Sequence, residues 1–402
     1  MTLNNIEKCY RQLRKEGREI LRLFDGNPNH HGLQFPPELL IQEYRKYFEN
    51  EGYDPDSKGL LVAREVISNY YGSSGFAVGP DQILLTPGTS ESFFYIFSIL
   101  TQPGDNILVP NPAYPLFDEI ARLAKIELKH YQLMEEKGWG IDFEDLESKI
   151  DQSTRAIAVI SPHNPTGMVA TAKEMEKIVA LAKEHDLAIL SDEVYADFIF
   201  DKSDLSPTLS LLRRGGPSLP LWFTLNGISK MFALPALKLG WIAVSGDPKR
   251  VAVAVDQLET VADTFLSTHM PIQRALPALF REGKEFLSGY REEVEGRKKL
   301  AVQILQQSDR IRFVEPKGGF YLMAEVCRGG PVWPPLKNGQ THRSAPTEEQ
   351  FIIELMRQTG VFVHPGYFFD YEKGVNFIFS FLAEPKVLKK GLTQLVEFIE
   401  SL

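Results

Sequence analysis

The chain reads as an α/β protein: a mostly parallel sheet sandwiched by helices, followed by a small α+β domain. Three observations predict this. From about residue 81, short runs rich in Leu, Ile and Val alternate with helix-length amphipathic segments. That order builds βα units and a parallel sheet covered on both faces. After residue 247 the alternation gives way to long helical periodicity, and short strands and helices mix again beyond residue 311.

The elements follow in order. Residues 5–24 place Ile6, Tyr10, Leu13 and Ile20 at helical spacing, which predicts a first helix or arm. A Gly/Pro/Asn-rich loop covers 26–32, and Pro37 near the start of 37–50 suits a helix N-terminus. Residues 59–71 read as a further helix. Strands are expected over 82–86, 106–109, 126–131, 155–160, 187–190, 221–225 and 239–244, with helices over 90–100, 116–123 and 172–185 between them. Residues 273–307 have the longest helical character. The pairs Glu293/Arg297 and Glu295/Lys299 stand at i,i+4 there and read as a solvated helix face. Residues 311–326 read as a hairpin across Pro316-Lys317-Gly318-Gly319, and 328–348, rich in Gly, Pro and polar residues, as a long loop. A helix over 347–358, strands over 361–364 and 376–381, and a last helix from Lys386 complete the chain.

Composition excludes several functions. A net charge of −9 argues against general affinity for nucleic acid or anionic membranes. Only Cys9 and Cys327 are present, in no metal-ligand spacing, which fits a reducing compartment. The N-terminus interleaves charged and apolar residues, unlike a signal peptide. No run approaches the ~18 apolar residues of a membrane span. These features predict a cytoplasmic protein without a metal site.

Chemistry concentrates at predicted strand ends. Lys230 follows the apolar run Leu221-Trp222-Phe223-Thr224-Leu225 within Asn226-Gly227-Ile228-Ser229-Lys230. Burial lowers a lysine's pKa and turns its ammonium into an amine nucleophile able to form a Schiff base. Thr86-Pro87-Gly88-Thr89-Ser90 joins a strand to a helix start, a place where free N–H groups meet a phosphate. Asn111-Pro112-Ala113-Tyr114 offers a rigid aromatic for stacking on a flat ring. Ser161-Pro162-His163-Asn164-Pro165-Thr166-Gly167 is a turn that aims Asn164. Asp192 and Tyr195 follow the next strand, where ligand crevices open in such sheets. Taken singly, these segments equally describe a helix cap, a turn or a packing aromatic.

Their order and spacing resemble the fold-type I pyridoxal-phosphate enzymes, specifically the class I/II aminotransferases, from about Gly26 to the C-terminus. The resemblance implies pyridoxal 5'-phosphate held by Lys230 as an internal aldimine, with Lys230 also moving the proton. It implies that Asp192 keeps the ring nitrogen protonated, that Tyr195 and Asn164 bond the phenolate oxygen, and that Tyr114 stacks on the ring. Gly88, Thr89, Ser90, Ser229 and Lys238 would hold the phosphate. Tyr53 matches a tyrosine sent across a homodimer interface to the neighbouring phosphate, and Gly26 a glycine whose backbone lies near the substrate carboxylate, with Asn164 beside it. The implied activity is transfer of an amino group from a small amino donor to an oxo acid by a ping-pong route. The implied division is an arm with part of the small domain over 1–40, a large cofactor-binding domain over 41–285 and a small domain over 286–402.

Three positions depart from the family pattern. Gly227 stands for the usual Ser three residues before the lysine, and Lys238 for the usual Arg eight residues after it. The family's Arg-x-Ser-Phe, whose Arg pairs with the substrate carboxylate, is here Ile378-Phe379-Ser380-Phe381, and no Arg follows Arg357. Losing such a pair costs roughly 1.5–3 kcal/mol of binding. Replacement candidates are Arg328, Arg343, Lys373 and the polar Asn376, and His163 is a candidate to face substrate. The departure keeps a β-lyase or decarboxylase on the same scaffold as an alternative. A cofactor-binding regulator is disfavoured by an arm too short for a DNA-binding domain, and a dinucleotide oxidoreductase by the absence of Gly-x-Gly-x-x-Gly after the first strand.

Overall fold

A computed structural model describes residues 4–50, 55–201, 219–327 and 348–402. Its centre is an eight-stranded sheet. In chain order the strands are β1 (Ile83–Thr86), β2 (Asn106–Asn111), β3 (Glu127–Met134), β4 (Gly140–Ile141), β5 (Thr154–Ile160), β6 (Ala188–Asp192), β7 (Trp222–Gly227) and β8 (Gly240–Ser245). Across the sheet they run β1-β8-β7-β6-β5-β2-β3-β4. The pairs β7/β6, β6/β5, β5/β2 and β2/β3 are parallel. Side chains alternate between two cores. Leu108, Ile157, Val159, Ile189 and Trp222 enter one, while Ile107, Val109, Ala158, Leu190 and Phe223 enter the other. Both faces of the central strands are buried, so these strands carry no exposed polar face for the sequence to show.

Two expectations about this sheet needed adjustment. β8 is a strand as predicted, but it runs antiparallel to both β1 and β7. Its connection from β7 holds only one helical turn, Ile228–Met231, and a short 3-10 turn, which is too little to recross the sheet. β4 also returns antiparallel on β3.

Beyond β8, the helical region is three helices: Pro248–Phe265, Met270–Glu282 and Lys284–Leu305. The stretch 273–307, expected to have the longest helical character, is helical but interrupted at Gly283, whose surroundings include the rings of Phe35 and Phe232. The expected solvated face is also half right. Lys299 and Glu295 pair in the open at 2.6 Å. Arg297 is buried: it holds Glu293 at 2.8 Å and donates to the carbonyls of His31 (3.2 Å) and Leu382.

The small sheet runs in the order β9 (Ile311–Phe313), β10 (Tyr321–Val326), β12 (Asn376–Ser380), β11 (His364–Pro365), with all pairs antiparallel. The expected hairpin over 311–326 is present. A separate apolar core joins this sheet to the helices Glu348–Thr359 and Pro385–Ser401 and to the N-terminal helix Asn5–Lys15, whose Ile6, Cys9 and Leu13 are buried. After that helix Leu21–Arg22 pairs in parallel with Val361–Phe362, so the arm is stitched to the small domain. Among the described residues, no helix is long and apolar enough to cross a membrane.

Candidate active site

The carboxyl ends of β1, β2, β5, β6 and β7 share one edge of the sheet, because these strands point the same way. Each predicted motif begins there. Lys230 sits in the one-turn helix after β7 and is partly buried. Its Nζ lies 5.8 Å from the centre of the Tyr195 ring and 5.9 Å from that of Phe320. Burial pulls this amine down to about 8, against the charge of Asp25, which raises it. At neutral pH about a tenth of such lysines are already free amines, a few hundredfold more than for an exposed lysine.

Asp192 ends β6, and its carboxylate accepts the Val194 N–H at 3.0 Å. Burial raises its pKa to about 7, with that hydrogen bond opposing. This is a partly buried carboxylate with one neutral donor, an environment that a cationic ring nitrogen would reverse. Tyr195 is buried, and its phenol is pushed well above 10 by burial and then by Tyr321, Tyr114 and Asp192. Tyr114 lies beside them, its hydroxyl 3.5 Å from Ser90 Oγ. Burial raises it, the Ser90 hydroxyl opposes, and Asp192 adds to the rise. The geometry therefore gathers Lys230, Asp192, Tyr195, Tyr114 and Ser90.

The loop before the helix Thr89–Leu100 turns at Gly88, with φ +153°, a backbone conformation that a side chain disfavours. Lys238 Nζ lies 3.4 Å from where a Gly88 Cβ would stand. A Cβ on Gly240 would stand 3.1 Å from both the Gly88 Cα and the Asn226 carbonyl. Two glycines thus press the loop onto β8 while Lys238 reaches its face, which joins Gly88, Thr89, Ser90 and Lys238 in a cradle suited to an anion. Ser229 lies in the same turn as Lys230. Asn164 carries a buried Oδ1 with no partner among the described residues. A buried amine, an underpaired carboxylate, a cationic cradle and an amide with spare capacity fit pyridoxal phosphate.

Other predicted residues fall differently. Tyr53, Arg328 and Arg343 lie outside the described residues. His163 does not face an open site: it is buried, its Nδ1 lies 2.9 Å from Thr166 Oγ1, and desolvation lowers it to about 3. Asn376 is likewise engaged, donating to Glu348 Oε1 at 3.1 Å and to the Lys373 carbonyl at 2.5 Å. Lys373 reaches Gln132 Oε1 at 3.5 Å. Ile378 is buried in the core.

Sequence reasoning missed a second group. Tyr321 closes on Gly26, whose Cβ would fall 1.9 Å from the Tyr321 hydroxyl, and meets Tyr195 edge-on at 6.5 Å. Asp25 accepts the Asn27 N–H at 3.0 Å, lies 2.8 Å from His30 Nδ1 and forms an ion pair with Arg22 Nη2 at 3.1 Å. Burial alone would raise Asp25, but His30, the Asn27 N–H and Arg22 outweigh it and hold the carboxyl below its usual value. The only local signal was the acid before Gly26 in the Gly/Pro/Asn-rich loop.

Residues 21–383 match the model of the aminotransferase class I and II family. The chain belongs to that family and is a pyridoxal-phosphate-dependent aminotransferase. It is 29% identical over 392 residues to the glutamate-pyruvate aminotransferase AlaA of Haemophilus influenzae, covering 96% of this chain and 92% of that protein. The Escherichia coli K12 counterpart is 31% identical over 79% of this chain and 77% of its own. A tyrosine aminotransferase of Dictyostelium discoideum is 28% identical over 92% and 85%. Among solved structures, an alanine aminotransferase of Pyrococcus furiosus superposes with a TM-score of 0.88 at 26% identity, covering 99% of this chain and 96% of that one.

Proposed function

We propose that the gathered residues divide the work of a ping-pong transamination between an amino acid and a 2-oxo acid. The observation that carries this reading is the buried Lys230 amine, lowered to about 8, at one edge of the sheet with Asp192 and Tyr195. Pyridoxal phosphate, when bound, supplies an aldehyde for amines and a ring that accepts the electron pair left on the donor carbon. Lys230 Nζ would anchor that aldehyde as a Schiff base and, once displaced, carry the proton to and from the donor carbon. Asp192 would hold the ring nitrogen in its cationic form. The Tyr195 hydroxyl and Asn164 amide would orient the ring oxygen, and the Tyr114 ring would cover the ring face. Gly88, Thr89, Ser90, Ser229 and Lys238 would hold the phosphate, with Tyr53 reaching it from a second subunit. Gly26 would border the substrate carboxylate.

The names of the relatives make glutamate with pyruvate, and alanine with 2-oxoglutarate in the reverse direction, the first substrate pairs to try. We divide the chain into an arm with part of the small domain over 1–40, a large domain over 41–285 and a small domain over 286–402, a reading supported by the presence of two sheets. A homodimer is supported by exposed apolar side chains on elements around the helix Met270–Glu282: Phe48 (72% exposed), Leu61, Phe265 and Leu266. Two free thiols favour the cytoplasm. An amino donor alone should bleach the yellow absorbance of the loaded enzyme, and a 2-oxo acid should restore it. A Lys230→Ala protein that turned over normally would refute the assignment. Pyruvate and ammonia released without a second oxo acid would mark a lyase instead.

A further inference from the structure

The family's carboxylate arginine is Ile378 here, and Arg22 places a cation beside the wall where it is missing. Ile378 pairs across the ladder with His364. The His364 ring stacks on Phe24 at 4.4 Å and 18°. The Arg22 guanidinium lies over the other neighbour of that wall, 5.2 Å from the Phe24 ring centre, and its Nη2 is pinned by Asp25 Oδ2 at 3.1 Å. Asp25 is close enough to raise Lys230 and His364, and it precedes Gly26, which rests against Tyr321. The segment 22–26 therefore runs from the guanidinium to the active-site lysine's surroundings.

We propose that Arg22 binds the α-carboxylate of the amino donor and of the oxo acid, in place of the arginine that position 378 lacks. This deepens the aminotransferase reading and rests on it. Arg22 is built for the task. One edge of its fork is engaged by Asp25, and its Nε and Nη1 have no partner among the described residues. Asp25 and the Phe24 ring restrain the group, so less side-chain freedom is lost when a carboxylate docks. Half of the side chain stays exposed, which leaves a route for substrate. His364 is neutral at working pH, lowered to about 4 by burial despite Asp25, so it stacks without competing for the anion.

The test uses the cofactor-loaded enzyme with Arg22→Met and Arg22→Lys. Propionate, a carboxylate without an amine, is titrated against each, with the cofactor absorbance as readout. The half-reaction is then followed with L-alanine, L-glutamate and, as a control, a simple alkylamine. Arg22→Met should weaken propionate binding and raise KM for both amino acids roughly 10- to 100-fold, the loss expected for a charge-assisted carboxylate pair. The alkylamine should be unaffected, kcat should change less than KM, and Arg22→Lys should recover part of the loss. Unchanged propionate affinity in Arg22→Met overturns the proposal, as does an equal loss for alkylamine and amino acids. Propionate binding needs no turnover, so an enzyme that fails to transaminate would sink the functional reading while this titration still decides on Arg22.

Discussion

Asp192→Asn should stabilise the cofactor-free protein and cripple the loaded one. The carboxyl ionises at about 7 in the fold, against 3.8 as its reference value. That gap is about three pH units at about 1.36 kcal/mol each, so the buried charge costs up to roughly 4 kcal/mol. The direction with pH follows from linkage. The unfolded chain releases this proton first, so native stability falls as pH rises from 3.8 towards 7, and the full cost persists above 7. Asparagine keeps an oxygen for the Val194 N–H and carries no charge. Urea unfolding of stripped protein at pH 8 should therefore show the variant more stable by up to roughly 4 kcal/mol, with the gap closing near pH 4. Once loaded, the ion pair with the ring nitrogen is what the variant lacks. Its cofactor affinity and half-reaction rate should fall by up to about a thousandfold, one decade per about 1.4 kcal/mol. A variant no more stable than the parent at pH 8, or a gap that persists unchanged at pH 4, would refute burial as the cause.

Two further outcomes follow from the same geometry. In stripped enzyme, acylation of Lys230 read by mass spectrometry should rise about tenfold per pH unit and level near 8, whereas exposed lysines keep rising towards about 10; levelling near 10 would mean the amine is not desolvated. Gly240→Ala should cost about 1–3 kcal/mol in stability and weaken cofactor affinity, because the new methyl meets backbone at Gly88 and Asn226 rather than a side chain that can turn away; thermal unfolding and a cofactor titration would show both.

How much was legible depends on whether the signal was local. Strand and helix order was readable because the central parallel strands are mostly apolar and the helix-length segments between them repeat at helical spacing. Lys230, Asp192, Asn164, Tyr114 and Gly88 stood out because a turn, cap or loop residue follows each strand directly. The reversed direction of β8 was not readable, since an apolar strand looks the same whichever way it runs. Arg297 misled for a similar reason. Spacing to Glu293 identifies a pair, but only packing shows that His31 and Leu382 wrap its guanidinium.

The sequence by itself determined the class of fold, the family and the chemistry at Lys230, because these rest on residues near one another along the chain. Only the tertiary structure decided what surrounds that chemistry. It assigned Asn376 to Glu348 and His163 to its own turn, and it carried Arg22, Asp25 and Gly26 from the N-terminal arm to Tyr321 and to the His364–Ile378 ladder. The arm's contacts join residues hundreds of positions apart. They depend on how the arm pairs with Val361–Phe362, and no local pattern encodes that pairing.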